Sequence, residues 1–412
     1  MKVLAIFLIL AFFGYLEAAE TDKMINCYYH VRSFKRFGVG KFVPENIDPF
    51  SCTHISFAFF GINETGLFKD PNKEINLEHD FIRRTIHLKF KNPKLKIYAV
   101  LGGEKEKGQT FSEMAASFEL RQKFIDSTAT FLQRHAFDGL DFRWLYPGFY
   151  GALADRYNYA ALVKQFKETF DLLKLDFGIT VSGNASYAEK WYDVPLLVKY
   201  VDFINVISYN FTNGDLAVYD SPLYGEGEAN ANASISFWLE SGAPASLLNM
   251  GISLVGHAFL VEDKYKGKPN SPSFGMYWTG RITYKYNYWG YVDACQFASE
   301  MSNQAQFVFD TSLGASYMLV SKKIWMSYHT PRTIEMKIDY VLERGLKGIM
   351  VWSLEYDDFL GRCGEKFHLV QFASRKLDKR YQCSSGRCCR ISQQLMAMCY
   401  REYVHDDGTT IV

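Results

Sequence analysis

The residues with most capacity for chemistry lie in one run, Asp138-Gly139-Leu140-Asp141-Phe142-Arg143-Trp144-Leu145-Tyr146-Pro147-Gly148. Two carboxylates and a guanidinium this close can move protons, hold ions or compensate one another. Side chains alternate faces along a strand. Leu140, Phe142 and Trp144 then share a face suited to packing against helices, and Asp141, Arg143 and Leu145 share the other. An unpaired buried charge is costly, so Asp141 and Arg143 are expected to form a salt bridge. Asp138, ahead of Gly139, serves a turn or a backbone hydrogen bond. No Gly-x-Ser-x-Gly elbow, phosphate-binding loop or His-Glu-x-x-His motif occurs. The histidines are scattered and no cysteine cluster has zinc spacing, so neither a metal nor a cofactor is expected.

Something must position that run. Short apolar segments rich in Ile, Val, Phe and Tyr recur at Ile25–His30, Thr53–Phe60, Lys96–Leu101, Phe137–Trp144, Phe177–Ser182, Asp202–Tyr209, Asn249–Val255 and Lys347–Trp352. Helix-like stretches, Phe111–His135 and Asp155–Leu173 among them, lie between several. Strands alternating with helices imply parallel βαβ units, and eight of them predict an α/β fold, a closed (β/α)8 TIM barrel. Asp141, Arg143 and Leu145 would then point into the barrel near its C-terminal mouth. The gap between the seventh and eighth strands is aromatic and strand-like, with Met276, Tyr277, Trp278, Tyr284, Tyr286, Tyr288 and Trp289. It predicts a small α+β insertion domain over 257–332, within a barrel formed by 20–256 and 333–375.

The 412 residues are 48% hydrophobic, 17% aromatic and 22% charged, with a formal net charge of +1. That composition excludes a disordered chain and disfavours a nucleic-acid or anionic-membrane binder. Lys2, the apolar run Val3–Leu16 and the small residues Ala18 and Ala19 read as a signal peptide over 1–19, hence secretion without membrane insertion. Eight cysteines agree with an oxidising compartment. Four of them, Cys383, Cys388, Cys389 and Cys399, fall in a C-terminal extension, 376–412, whose pairing the spacing leaves open. Asn-x-Ser/Thr sequons begin at Asn63, Asn184, Asn210 and Asn232; each permits glycosylation, and Asn63, Asn184 and Asn232 are the expected sites. Asn210 falls at the floor of the expected cleft, where a glycan would block it.

The central run resembles the signature of family 18 glycoside hydrolases, the chitinases and chitinase-like proteins, Asp-Gly-x-Asp-x-Asp-x-Glu followed by Tyr-Pro-Gly. Asp138, Gly139, Asp141, Tyr146, Pro147 and Gly148 match; Arg143 stands for the third Asp and Leu145 for the Glu. The resemblance continues in order from Cys27-Tyr28-Tyr29 through Leu101-Gly102-Gly103, Tyr192-Asp193-Val194-Pro195 and Ser221-Pro222-Leu223-Tyr224 to Met350-Val351-Trp352 and Asp357-Asp358-Phe359. It implies disulfides Cys27–Cys52 and Cys295–Cys363. It also implies a substrate-assisted mechanism, in which the Glu protonates the glycosidic oxygen, the acetamido carbonyl of the sugar attacks the anomeric carbon, and the neighbouring Asp stabilises the cyclic cation.

Leu145 has no proton to give, and Arg143 puts a positive charge where positive charge develops. Tyr209 is followed by Asn210 where the family has Asp. Arg32, Glu104, Val255 and His257 replace further cleft residues. No hydrolysis by this route is therefore expected. Tyr28, Phe59, Tyr146, Tyr209, Met350 and Trp352 remain as candidate glycan contacts. Trp352 is best placed to stack on a pyranose, whereas Tyr28, Phe59 and Met350 suit core packing equally well. The resemblance implies a secreted lectin for chitin or related N-acetylglucosamine glycans. A protein receptor bound at the barrel surface, without any sugar, is the rival. A hydrolase with a relocated acid, Glu104 or Asp141, is the third reading.

Overall fold

A computed structural model describes residues 22–103, 108–149, 151–212, 214–262, 267–277, 279–285 and 288–378. The signal-peptide reading, Glu104 and the four cysteines beyond residue 379 lie outside these residues. All eight expected strands are present, at Met24–His30, His54–Ile62, Lys96–Gly102, Gly139–Arg143, Asp176–Ser182, Phe203–Ile207, Leu248–Ser253 and Gly348–Trp352. Each pairs in parallel with its neighbours, and the first strand bonds to both the second and the eighth, so the ring closes. A short antiparallel strand, Phe68–Lys69, hangs on the end of the second.

Strands buried on both faces explain why the sequence reads as apolar runs rather than alternation. Outward residues such as Ile25, Cys27, Tyr29, Leu140 and Phe142 join the main core beneath the helices. Inward residues stack in layers. Met24, Tyr98 and Phe203 form the floor. Asn26, Ser56, Asp141, Thr180, Asn205 and Asn249 form a buried polar middle. Tyr28, Ala58, Val100, Tyr209 and Met350, with Phe59, Ile207 and Trp352, form the top. The floor needs Gly178, because a Cβ there would lie 2.2 Å from the Phe203 ring.

Helix Asp155–Leu173 matches its expected span. The stretch expected as one helix over Phe111–His135 is two, Gly108–Ala115 and Phe118–Arg134. Ser117 between them is extended, and its hydroxyl accepts the Leu120 N–H at 3.2 Å. That cap starts the second helix and ends the first.

Between the seventh and eighth strands stands the expected lobe. Its antiparallel sheet contains Val255–Val261, Ser271–Met276, Ala305–Asp310, Ala315–Val320 and Ile324–Ser327, and takes an edge strand, Leu216–Ala217, from before the seventh barrel strand. Helix Tyr291–Glu300 packs against it through Ala294 and Phe297. Disulfides join Cys27 to Cys52, across the first two strands, and Cys295 to Cys363, lobe to barrel.

Candidate functional site

The central run forms the fourth strand and the loop after it. Asp138 precedes the strand and sits low in the barrel. One oxygen accepts Lys89 Nζ and the other the Ile97 N–H, both at 2.7 Å, so its role is to tie the third strand to the fourth. Asp141, fully buried, lies in the polar middle layer. It accepts hydrogen bonds from the Tyr28 hydroxyl, from Thr180 Oγ1 at 2.6 Å and from Asn205 Nδ2 at 2.9 Å. Asn205 in turn accepts from Asn249 at 2.9 Å. Burial raises the Asp141 carboxyl above its ordinary range, opposed by the hydrogen bonds and by the charge of Arg143.

The expected Asp141–Arg143 salt bridge is absent. No ion pair joins them within 4.0 Å, and Asp141 feels Arg143 only as a nearby charge. The pleat explains this: two residues further along the strand, Arg143 rises a layer higher into the aromatic top. Its guanidinium carbon lies 4.9 Å from the Trp352 ring centre, 5.5 Å from Tyr28 and 5.7 Å from Phe59. Those rings also touch each other, Trp352 at 5.4 Å from Tyr28 and 5.8 Å from Phe59. Electron-rich faces attract a cation, and with only 2% of Arg143 exposed the box holds it firmly. Its backbone passes so close to the third strand that a Cβ on Gly102, at φ +109°, would meet the Arg143 carbonyl at 2.4 Å. The Gly102-Gly103 pair is therefore structural here.

Leu145 follows, buried, with its carbonyl accepting the Tyr192 hydroxyl at 2.7 Å. Met350 and Tyr209 pack beside the box, and the Tyr209 hydroxyl points at the Met350 sulfur at 3.9 Å. Tyr146 does not join them. It is 41% exposed on the far side of Leu145, edge-on to Tyr187 at 5.4 Å. Beside it opens a cleft of about 350 Å³ lined by Arg143, Leu145, Tyr146, Tyr209, Asn210 and Glu228. Ser182, Asn184 and Thr212 complete its polar rim. Asn210 is exposed, in the left-handed region at φ +65°, which Asn tolerates.

Two further replaced positions are not among the residues that line this cleft. Arg32 Nε donates to Asn72 at 2.9 Å. His257 is buried in the lobe sheet, 2.7 Å from an Asp220 oxygen. Among the described residues the group nearest to a metal-ligand set is Cys295, Asp358 and Cys363, but both cysteines are spent in a disulfide. A second cavity, of about 360 Å³, opens at the opposite end of the barrel from Arg143 and Leu145, among Lys23, Lys96, His54 and Tyr98. No helix among the described residues is long and apolar enough to cross a membrane.

The sequence reading missed Thr180, Asn205 and Asn249, on which Asp141 depends. Their signal was a polar residue at inward spacing inside an otherwise apolar strand. It also missed the rim residues Ser182 and Glu228, which no motif marks.

Residues 24–357 match the family model described as glycosyl hydrolases family 18. A Group IV chitinase of Ostrinia furnacalis superposes with a TM-score of 0.82 at 34% identity, covering 86% of this chain and 99% of that one. Human YKL-39, described as a pseudo-chitinase with retained chitooligosaccharide binding properties, superposes at 0.78 and 30% identity, covering 86% and 99%. Probable chitinase 10 of Drosophila melanogaster is 29% identical over 88% of this chain, which spans 16% of that protein's length.

Proposed function

This chain belongs to glycosyl hydrolases family 18, and from that premise we propose that it binds short N-acetylglucosamine-containing glycans without cleaving them by the family's route. The observation that carries this is the pair Arg143 and Leu145, side by side on the wall of a cleft that is still open. The proton donor is gone, and general acid–base action alone is worth roughly 10²–10⁴-fold in rate. A guanidinium in its neighbour's place opposes the developing cation. Asp141 does not substitute, because both its oxygens are engaged by hydrogen bonds in a fully buried layer. The cleft falls within the size range of small-ligand sites, roughly 300–1,000 Å³. The retained oligosaccharide binding of YKL-39 supports the reading. We place the sugar on the Tyr146–Asn210 side, since Arg143 already covers the face of Trp352. Secretion belongs to the same proposal, carried by the signal-peptide pattern.

That covered face also favours a second reading, a barrel that engages a protein receptor through its surface and binds no sugar. Titration calorimetry with chitin oligomers of increasing length, on the secreted chain and on its Asn210→Gln variant, separates the two. Saturable heat in either form, with no new reducing ends, is expected. Absence of heat in both forms at every length sinks the lectin reading. Products that vanish on Glu104→Gln or Asp141→Asn would instead establish a relocated acid.

A further inference from the structure

The four sequons are not equivalent in the folded chain. The Asn63 side-chain oxygen accepts from Thr65 N, Thr65 Oγ1 and Leu67 N within 3.0 Å, fixing a turn remote from the cleft. Asn184 caps a helix by accepting the Tyr187 N–H at 2.8 Å, and its amide nitrogen reaches Glu228 at 3.4 Å. Asn232 accepts from the Tyr340 hydroxyl at 3.0 Å. Asn210, heading Asn210-Phe211-Thr212, is exposed, lines the cleft and makes no side-chain hydrogen bond among the described residues. Its amide stands at the end of the sixth strand, directly after Tyr209.

We propose that Asn210 carries an N-linked glycan whose first two sugars lie in the cleft of the same molecule, so that the site is filled from within. The proposal rests on the glycan-binding reading of that cleft and names its occupant. The chemistry is a group transfer from a lipid-diphosphate-linked oligosaccharide of the secretory pathway. Asn210 Nδ2 bonds to the anomeric carbon of N-acetylglucosamine, and the proton it gives up ends on solvent or the departing diphosphate. The bond from that carbon to the diphosphate breaks, and the lipid diphosphate leaves. The two innermost sugars of such a glycan are β-1,4-linked N-acetylglucosamines, the same disaccharide that chitin repeats. Glycan and cleft therefore match in chemistry as well as in place.

Tethering makes this occupancy favourable even when the free disaccharide binds weakly. A short flexible link gives an effective concentration of about millimolar, enough to half-fill a site of millimolar affinity. The polar rim of Ser182, Asn184, Thr212 and Glu228 offers partners for hydroxyl and acetamido groups, and Tyr146 offers a ring face. Arg143 closes the inner end.

Glycopeptide mass spectrometry of the chain secreted from eukaryotic cells is expected to find Asn210 occupied. An endoglycosidase that cuts between the first two sugars is expected to spare Asn210 in the native protein and to cut it after denaturation, while cutting Asn63 in both. Asn210→Gln, which deletes the sequon and keeps an amide, is expected to bind chitotetraose at least twofold more tightly than the secreted chain. A bare Asn210 overturns the proposal. So does a glycan cut as fast as that on Asn63 with no difference in affinity. If the Asn210 glycan resists cutting but Asn210→Gln binds no free oligosaccharide, self-docking stands and the lectin reading falls.

Discussion

On one side of Leu145 the mouth of the barrel is packed with the chain's own rings; on the other it opens into a cleft rimmed by amides and hydroxyls. Both sides descend from the end of the same strand, Arg143 and Tyr146 being three residues apart, yet one is packed with rings and the other lines an open cleft. Around Arg143 the guanidinium sits against the rings of Trp352, Tyr28 and Phe59. Around Tyr146 the described residues leave a cleft open. On the proposed reading, catalysis and binding are separable in this cleft, because they concern different walls of it.

The contrast can be broken at several points. The largest effect is expected beneath the closed half. Asp141→Ala removes the acceptor shared by Tyr28, Thr180 and Asn205 and leaves their donors buried, which costs about 3 kcal/mol; urea unfolding measures it, and a loss under 1 kcal/mol would show that the polar layer rearranges freely. Next, Arg143→Met keeps volume in the box but removes the cation. If Arg143 is what bars the Trp352 face, chitotetraose affinity in a form lacking the Asn210 sequon rises about tenfold, or ~1.4 kcal/mol, by calorimetry. Unchanged affinity would mean that the ring is closed to sugar for other reasons. On the open half, Tyr146→Ala is expected to weaken the same binding about fivefold, ~1 kcal/mol of ring contact, with the unfolding midpoint unmoved; a shift in both would merge the two halves into one unit.

The smallest effect concerns pH. Burial raises the Asp141 carboxyl, so the folded chain keeps that proton at pH values where the unfolded chain has released it. Its contribution is full below the ordinary carboxylate range and declines as pH rises through the raised value. Asp141→Asn, which cannot titrate, should lose less stability than the parent over that rise, read as the difference between two melting-temperature profiles. Parallel profiles would refute a raised Asp141.

The strands were legible because parallel strands buried on both faces leave long apolar runs, and the barrel followed from their number. The direction of Asp141, Arg143 and Leu145 into the barrel was legible from the pleat alone. What Arg143 would touch was not. Alternation says which way a side chain points, not which layer its tip reaches, and the tip of a long side chain beside a carboxylate suggested an ion pair that three closer donors had already displaced. The break at Ser117 was legible only in hindsight, since a capping serine inside a polar stretch competes with continuous helix. The rim of the open half comes from the ends of three barrel strands and the loops after them, and no spacing in the sequence brings them together.

Ring closure also sets a clock. The first strand, Met24–His30, hydrogen-bonds to Gly348–Trp352, near the far end of the described chain. At roughly 5–20 residues per second, synthesis of the intervening ~300 residues occupies on the order of 15–60 s. Throughout that interval one edge of the nascent sheet has no partner, and unpaired edges recruit other chains. The Cys27–Cys52 bridge lies across the earliest strand pair and can form long before closure, whereas Cys295–Cys363 must await the last segment. An oxidising lumen with chaperones at hand would thus guard this chain most at the stage when its first strand is made and its last is not.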